Sequence, residues 1–361
     1  MVNAFVHDVP SSRVVFAPGS LVRVGDELEK LGVNRSLLIA GGPEEVYADR
    51  IADMLGTKVV ARFRDVVMHV PVATAQKARD VAQESQADSL ITVGGGSSIG
   101  AAKAVALETG LPILAVPTTY AGSEMTSIWG LTEGNRKTTG RDLRVLPKTV
   151  VYDPELTLSL PADISAASGM NAIAHLVEGL YAPGLSPVTA LQAEEGVRAL
   201  ATALPRVVQQ PSDIQARSEA LYGSWLAGWT LGTTGMGIHH KICHTLGGTF
   251  DLPHAPTHSA VIAFATSFNE NAAPEAMGAI VRALKKSGID AGSAGAGIWE
   301  LAHTIGAPTS LAQVGFDPTK VDETARIVVE GRPTNPRPVD LDGTRALLLA
   351  AYDGTRPGAW D

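Results

Sequence analysis

Five of the nine histidines in this 361-residue chain fall within the twenty residues 239–258. His240 and His244 are four residues apart, so a helix would place both imidazoles on one face. A glycine pair and a proline would then end the helix, and the following loop would return His254 to that face. This spacing is typical of metal-binding or catalytic helices, and it predicts a site for chemistry here.

A second pair of polar side chains has the same spacing on another predicted helix, residues 165–181. Asn171 and His175 share one face of this helix. Placed opposite His240 and His254, they complete a set of four candidate ligands that suggests Zn²⁺ or Fe²⁺. Asn171 argues against such an ion, because a neutral amide oxygen is a poorer ligand than a carboxylate.

Two neighbouring residues have simpler interpretations. Cys243 is the only cysteine, and on an apolar helix we expect it to fill a buried gap rather than to act as a catalytic thiol. Glu178 follows His175 by three residues, and we interpret it as a solvated or capping carboxylate rather than as a replacement ligand.

Composition excludes several classes of protein. Hydrophobic residues make up 45% and charged residues 18%, which is typical of a globular, helix-rich chain. The net charge is −8, and no Lys/Arg run exceeds two residues, which argues against nucleic acid or an anionic membrane as a partner. The single cysteine and the absence of a signal peptide or of an apolar run near about 20 residues predict a cytoplasmic protein.

The first half alternates short apolar runs with amphipathic segments, the pattern of a parallel sheet covered by helices. Strands are predicted at residues 13–16, 36–40, 58–63, 88–93, 112–116 and 149–152. Residues 130–148 are polar and are expected to form an excursion before the last strand.

Small and hydroxyl-bearing residues follow two consecutive buried strands of this half. Ligands bind at this edge of a parallel sheet, where backbone N–H groups and the helix dipole favour a pyrophosphate. The candidate cofactor-binding residues are Gly94, Gly95, Gly96, Ser97, Ser98, Thr118, Thr119 and Ser123. The sequence therefore predicts an α/β dinucleotide-binding domain with a Rossmann-like parallel sheet.

After residue 154 the alternation stops, and long Ala- and Leu-rich periodic segments follow. We predict a domain boundary near Leu160, with an NAD(P)-binding α/β domain at 1–160 and an all-α substrate and catalytic domain at 161–361. Helices are predicted at 165–181, 188–204, 214–229, 237–246, 275–287, 298–305 and 318–330, with a loop at 291–297 and a last helix through residue 349.

With both halves considered, the chain resembles the iron-type alcohol dehydrogenase family, which has a dehydroquinate-synthase-like fold, over nearly its whole length. The matching pieces are Gly94–Ser97, Pro117–Thr119, Gly169–Ala172, His175, His240, His244, Gly247–Gly248, Pro253–His254 and Asn335–Pro338. In that family an Asp and three His bind a divalent metal, and the matching positions are Asn171, His175, His240 and His254. If a metal binds this chain, the resemblance implies these ligands.

The change from Asp to Asn at position 171, together with the His239-His240-Lys241 run, is similar to a metal-independent branch of the family. The resemblance implies hydride transfer from NADH or NADPH to the carbon–carbon double bond of maleylacetate, giving 3-oxoadipate in aromatic-compound degradation, with no bound metal. Reduction of an enone develops enolate charge on a conjugated carbonyl, which hydrogen-bond donors and imidazolium can stabilise without a Lewis acid.

Residue roles follow from this resemblance. We predict that four histidines hold the substrate carboxylates and the enolate: His175, His240, His244 and His254. His244, which matches a histidine close to the nicotinamide, is the predicted general acid. Asn171, Lys241 and Arg337 are predicted to bind the substrate.

Cofactor choice can also be predicted from the second strand. Many family members carry an Asp there, whereas this chain has Gly41 and no carboxylate before Glu44. We therefore expect Gly41 to line the cofactor site and NADPH to be accepted as well as NADH.

Two other functions stay open on the sequence alone. A metal-dependent alcohol or polyol dehydrogenase would tolerate Asn171 as a ligand. A non-redox lyase of the dehydroquinate-synthase type, or a binding protein, would keep the nucleotide site without redox chemistry. The resemblance also suggests a homodimer formed through the N-terminal strand segment, with a small dicarboxylate as the substrate.

Overall fold

The computed structural model describes residues 5–9, 11–68, 70–134, 136–358 and 360. They form two compact units, one of residues Val9–Leu160 and one that starts at Pro161 and also includes residues 5–8. No helix in the described part of the chain is both long and apolar enough to cross a membrane.

The first unit contains a six-stranded parallel sheet, as expected of an α/β domain. Its strands are β1 (Arg13–Phe16), β2 (Ser36–Ile39), β3 (Val59–Phe63), β4 (Ser89–Gly94), β5 (Ile113–Pro117) and β8 (Thr149–Tyr152). The order across the sheet is β1-β8-β5-β4-β2-β3, and every pair is parallel. Strands β2, β4, β5 and β8 are buried along their whole length, which explains why their sequences are nearly continuous apolar runs.

Four helices accompany this sheet. They are α1 (Val24–Leu31), α2 (Glu45–Leu55), α3 (Val72–Glu84) and α4 (Gly96–Thr109). Leu28 and Ile51 from the helices pack with Val93 and Val116 from the sheet in one buried cluster. α4 ends at Gly110, whose φ of 70° is a conformation that glycine adopts without strain.

The polar excursion includes a two-stranded antiparallel ribbon, β6 (Ile128–Glu133) and β7 (Arg136–Arg141). Trp129 pairs with Gly140 across it, and a Cβ added at Gly140 would lie 2.7 Å from the indole ring. The tryptophan therefore covers the glycine, an interaction that the local sequence does not reveal.

The described residues of the second unit form helices without strands, as the sequence predicted. The helices are α5 (Ala162–Tyr181), α6 (Pro187–Gln209), α7 (Ile214–Thr233), α8 (Ile238–Phe250), α9 (His254–Phe268), α10 (Pro274–Lys286), α11 (Ala294–Thr304), α12 (Val321–Glu330) and α13 (Leu341–Asp353). A Cβ added at Gly169 would lie 2.4 Å from Leu204, and one at Gly179 would lie 2.1 Å from Thr230. Close packing of α6 and α7 against α5 at these glycines holds the helix that carries Asn171.

Several helix boundaries differ from the prediction, and the differences at α8, α9 and α11 change how the sequence is interpreted. α8 continues through Gly247 and Gly248 and ends at Phe250, and the next residue, Asp251, caps it with a left-handed φ of 55°. Pro253 then precedes α9, so His254 is the first residue of a new helix and not part of a returning loop. Residues 294–297, predicted as loop, form the first turn of α11, because the Ser293 side chain caps the Ala296 N–H.

Candidate active site

Six histidines from three helices of the second unit lie together. α5 contributes His175, α8 contributes His239, His240 and His244, and α9 contributes His254 and His258. The His258 ring is central, with centroids 4.4 Å from His254, 4.8 Å from His239 and 5.0 Å from His240. The structure thus brings together the four histidines singled out from the sequence and adds two more.

A chain of hydrogen bonds joins Asn171, His175, His240 and Glu178. Asn171 Nδ2 lies 3.4 Å from His175 Nε2, and His175 Nδ1 lies 2.9 Å from His240 Nε2. His240 Nδ1 bonds one carboxylate oxygen of Glu178, and the other oxygen accepts the backbone N–H of His239 at 2.8 Å. All four side chains are buried. Glu178 is therefore a capping carboxylate at the N-terminus of α8, but it is not solvated.

The deepest part of the cluster is uncharged. His239 Nε2 lies 2.9 Å from His258 Nδ1, and Cys243 Sγ lies 3.7 Å from His239 Nε2. Burial, followed by the neighbouring histidines, lowers the pKa of both His239 and His258 well below the usual value. Burial also raises the pKa of the Cys243 thiol well above its usual value, so Cys243 is the buried, unreactive residue that was expected. At neutral pH, neither His239 nor His258 supplies positive charge to a substrate.

Solvent reaches the other side of the cluster. His254 is exposed and His244 is half-buried, and their rings stack with centroids 6.5 Å apart. These two imidazoles are therefore the accessible ones, whereas His175 and His240 are each at most 5% exposed. A proton donor to a bound substrate is best placed on the accessible side.

Lys241 and Arg337, the two cations predicted to bind the substrate, pack against other parts of the unit. A Cβ added at Gly331 would lie 2.4 Å from Lys241 Nζ, so the lysine chain lies over the residue that follows α12. The Arg337 guanidinium lies 4.6 Å from the Phe268 ring centroid and 6.0 Å from that of Trp360. Such cation–π contacts hold the 335–338 segment against the end of α9.

In the first unit, three loops meet at the carboxyl edge of the sheet. The Thr118 N–H donates to Gly94 O at 3.2 Å, and Thr118 Oγ1 lies 3.4 Å from Glu44 Oε1. A Cβ added at Gly95 would lie 2.9 Å from Thr119 Cγ2. Glycine is therefore needed at position 95 for the loop after β4 to approach the loop after β5.

The predicted phosphate-binding residues form the start of α4. Gly96, Ser97 and Ser98 make up its first turn, and among the described residues no side chain caps it. Its backbone N–H groups and the helix dipole suit a pyrophosphate, so this unit fits a dinucleotide. Gly41 lies one strand away, where an added Cβ would meet Arg64 O at 2.8 Å.

Sequence reasoning missed four residues at these sites. Glu178 was set aside because its partner His240 is 62 residues away. His239 and His258 were not distinguished from the other histidines. Both are 0% exposed, and this complete burial, which the sequence does not show, makes them neutral. Glu44 is half-buried beside Thr118, and its position as the first carboxylate after β2 was the available signal.

Comparison with known proteins gives the family. Residues 10–154 match iron-containing alcohol dehydrogenase, and residues 165–352 match the C-terminal domain of the Fe-containing alcohol dehydrogenase family. The chain belongs to the iron-containing alcohol dehydrogenase family. Within this family it is 50% identical to a maleylacetate reductase of Sphingobium indicum, over 98% of this chain and 99% of that protein.

Solved structures of similar proteins have the same fold as this chain. A putative alcohol dehydrogenase from Ralstonia eutropha JMP134 superposes with a TM-score of 0.96 at 49% identity, covering 99% of this chain and 100% of that one. Maleylacetate reductase from Rhizobium sp. strain MTP-10005 superposes with a TM-score of 0.93 at 42% identity, covering 98% and 100%.

The family name implies an iron ion. Whether such an ion fits depends on the donor atoms at the four positions that match the family's metal ligands. A divalent ion needs several lone pairs directed at one point. Here His175 Nδ1 and His240 Nε2 face each other at 2.9 Å, and Asn171 offers only an amide. As arranged, these positions do not fit such an ion. The group of three ligand atoms within 4.8 Å of one another among the described residues is instead His239, Cys243 and His258.

Proposed function

We propose that this chain is a maleylacetate reductase, which uses NADH or NADPH to reduce the carbon–carbon double bond of maleylacetate to 3-oxoadipate. The observation that carries the proposal is an identity of 42–50% with maleylacetate reductases over 98% of the chain. The histidine cluster and the dinucleotide loops supply the groups that this reaction needs.

The substrate is a dicarboxylate whose alkene is conjugated to a ketone. A bound reduced nicotinamide supplies a hydride to the alkene carbon that is β to the ketone. The displaced π electrons become enolate charge on the ketone oxygen, and a proton then completes the product. The protein must therefore bind two carboxylates, stabilise the enolate and donate one proton.

The accessible histidines are proposed for these tasks. His244 and His254 can present imidazole or imidazolium N–H groups to the substrate, and His244 is the proposed proton donor. The buried His175 and His240, with Asn171, form the opposite, more rigid side of the site. His239 and His258, which are neutral at neutral pH, contribute no positive charge to the binding of the dicarboxylate.

The cofactor sites are proposed at the three loops of the first unit. Gly94 to Ser98 would bind the pyrophosphate, with hydroxyls of Thr118, Thr119 and Ser123 nearby, and Gly41 at the neighbouring strand. We also propose that catalysis uses no metal at the family's ligand positions, because three of them, Asn171, His175 and His240, direct their nitrogen atoms at one another. A homodimer and a cytoplasmic location remain predictions, and light scattering of the purified chain measures its mass.

The deciding experiment follows NADH oxidation with maleylacetate and with a panel of short ketones, with and without a chelator, alongside metal analysis. We expect rapid oxidation with maleylacetate that survives chelation. Activity restricted to ketones and abolished by chelation would indicate the metal-dependent alcohol dehydrogenase that the family name allows. If an ion is found, loss of that ion in Cys243→Ala would place it at His239, Cys243 and His258 instead.

A further inference from the structure

The hydrogen-bond chain that ends at Glu178 has one direction. A carboxylate only accepts, so His240 donates from Nδ1, and the tautomer that carries this proton alone accepts at Nε2. His175 must then donate from Nδ1 across 2.9 Å and keep its own lone pair on Nε2. Asn171 completes the chain by donating from Nδ2 to that nitrogen at 3.4 Å. Glu178 thereby sets the tautomers of two imidazoles and the orientation of one amide.

The far end of the chain is an acceptor without a donor. Asn171 Oδ1 is buried, and none of the described residues donates a hydrogen bond to it. A buried carbonyl left in this state destabilises the fold, and such an oxygen is matched when a ligand brings an O–H or N–H group. When His244 gives its proton to the enolate oxygen, the resulting enol has such an O–H. The enol becomes the ketone when its α-carbon takes up a proton and the hydroxyl proton returns to the emptied imidazole of His244.

Glu178 is itself held firmly. Its Oε1 accepts backbone N–H groups of His239 at 2.8 Å and of His240 at 3.4 Å, at the positive end of α8. A Cβ added at Gly237 would lie 2.9 Å from this oxygen, so glycine at that position leaves room for the carboxylate. One oxygen thus accepts from the backbone of α8, and the other accepts from the His240 ring.

We propose that Glu178 is a positioning residue, which acts through His240 and His175 to present the carbonyl oxygen of Asn171 as an acceptor for the enol hydroxyl of the substrate. The proposal rests on the proposed function for the identity of that substrate. The direction of the chain does not depend on any substrate and can be measured in the free protein.

Glu178→Gln reverses the chain with little change in size. The amide oxygen can still accept from the backbone of α8, but its NH₂ group must donate to His240 Nδ1. His240 then carries its proton on Nε2, His175 carries its own on Nε2, and the Asn171 amide turns over. The site would present an NH₂ group where the native protein presents a carbonyl oxygen.

Glu270→Gln is the matched control. Glu270 also accepts two backbone N–H groups at a helix N-terminus, those of Ala294 and Gly295 in α11, at 3.1 and 3.3 Å. Replacing it removes a capping charge of the same kind while leaving the histidine chain intact. A loss of activity caused in general by removing a capping charge from this unit would appear in both variants.

The test combines kinetics with ¹⁵N spectra of histidine-labelled protein, in which the shifts of Nδ1 and Nε2 show which nitrogen carries the proton. We expect native His240 to be protonated on Nδ1, and Glu178→Gln to move that proton to Nε2. The value of kcat should fall about ten- to a hundredfold with an unchanged KM for the cofactor, while Glu270→Gln keeps native kcat.

Two results would overturn the proposal: native His240 that carries a proton on Nε2, whether alone or together with one on Nδ1, or a folded Glu178→Gln protein with kcat within twofold of native. If Glu178→Gln does not fold, the native spectrum decides. If the native enzyme does not reduce maleylacetate, the proposed function fails, but the spectra still report the direction of the chain.

Discussion

Lys103 Nζ lies 2.8 Å from the carbonyl oxygen of Thr126 and 2.9 Å from its hydroxyl oxygen, so a buried amino group on α4 holds the loop that follows β5. The same nitrogen lies 2.7 Å from Ser123 O and 2.8 Å from Ile128 O. The glycine loop begins the helix that carries Lys103, and the held loop carries the predicted cofactor hydroxyls. One lysine therefore couples the two loops that are predicted to bind the cofactor.

Replacing Lys103 with Met should change how stability depends on pH. Burial lowers the pKa of Lys103 from 10.5 to about 7, so between these values the unfolded chain binds a proton that the folded chain does not. Native protein should therefore gain stability relative to Lys103→Met as pH rises through this window, by up to about 5 kcal/mol. Urea unfolding at several pH values measures the difference. Equal slopes for the two proteins would contradict the prediction, and the exposed Lys148→Met controls for loss of charge.

Cofactor discrimination should be weak and should depend on Glu44. The side chain is half-buried beside Thr118, and burial raises the pKa of Glu44. With Gly41 in place of a carboxylate, we expect both NADH and NADPH to be used, and Glu44→Gln to shift the ratio of kcat/KM values towards NADPH. A native preference above about a thousandfold, or about 4 kcal/mol, would contradict this.

Particular residues show how much of the fold and of the candidate site could be predicted from the sequence. The strands were predictable because β4 and β5 are buried on both faces and so are continuous apolar runs. The glycine loops followed from the rule that ligands bind at the carboxyl edge of such a sheet. Asn171 and the four histidines followed from their spacing and from the family resemblance.

The remaining features depend on contacts between distant residues. The i+3 spacing of Glu178 and His175 does not show that the carboxylate turns instead to His240 on another helix. Gly247 and Gly248 looked like a helix end by propensity, yet α8 continues through them to Phe250, because tertiary context overrides a weak local preference. Sequence patterns identified the histidines, whereas only packing separated the neutral ones from the accessible ones.

His244→Asn should remove the proposed proton donor. His244 is half-buried and its ring lies beside the exposed His254, on the side of the cluster that solvent reaches. General acid catalysis is worth about a hundredfold or more, so we expect kcat to fall by at least about that factor. His303→Asn is the control, since His303 is exposed and stacks on Trp299 in α11. Unchanged turnover of His244→Asn would exclude it as the donor.

A comparison of Gly237→Ala with Gly235→Ala tests whether the position of the Glu178 carboxylate affects kcat when its charge is unchanged. A Cβ at Gly237 would lie 2.9 Å from Glu178 Oε1 and 3.3 Å from Asn335 Oδ1, whereas one at Gly235 meets nothing within 4 Å. The end of a long side chain usually yields to a new methyl group at little cost, but this carboxylate is fixed by the backbone of α8 and by His240. We therefore expect Gly237→Ala to lower kcat severalfold, on the order of a 1 kcal/mol rise in the barrier, and Gly235→Ala to keep native kcat. Equal kcat values for the two variants would mean that the carboxylate can move without cost to the reaction.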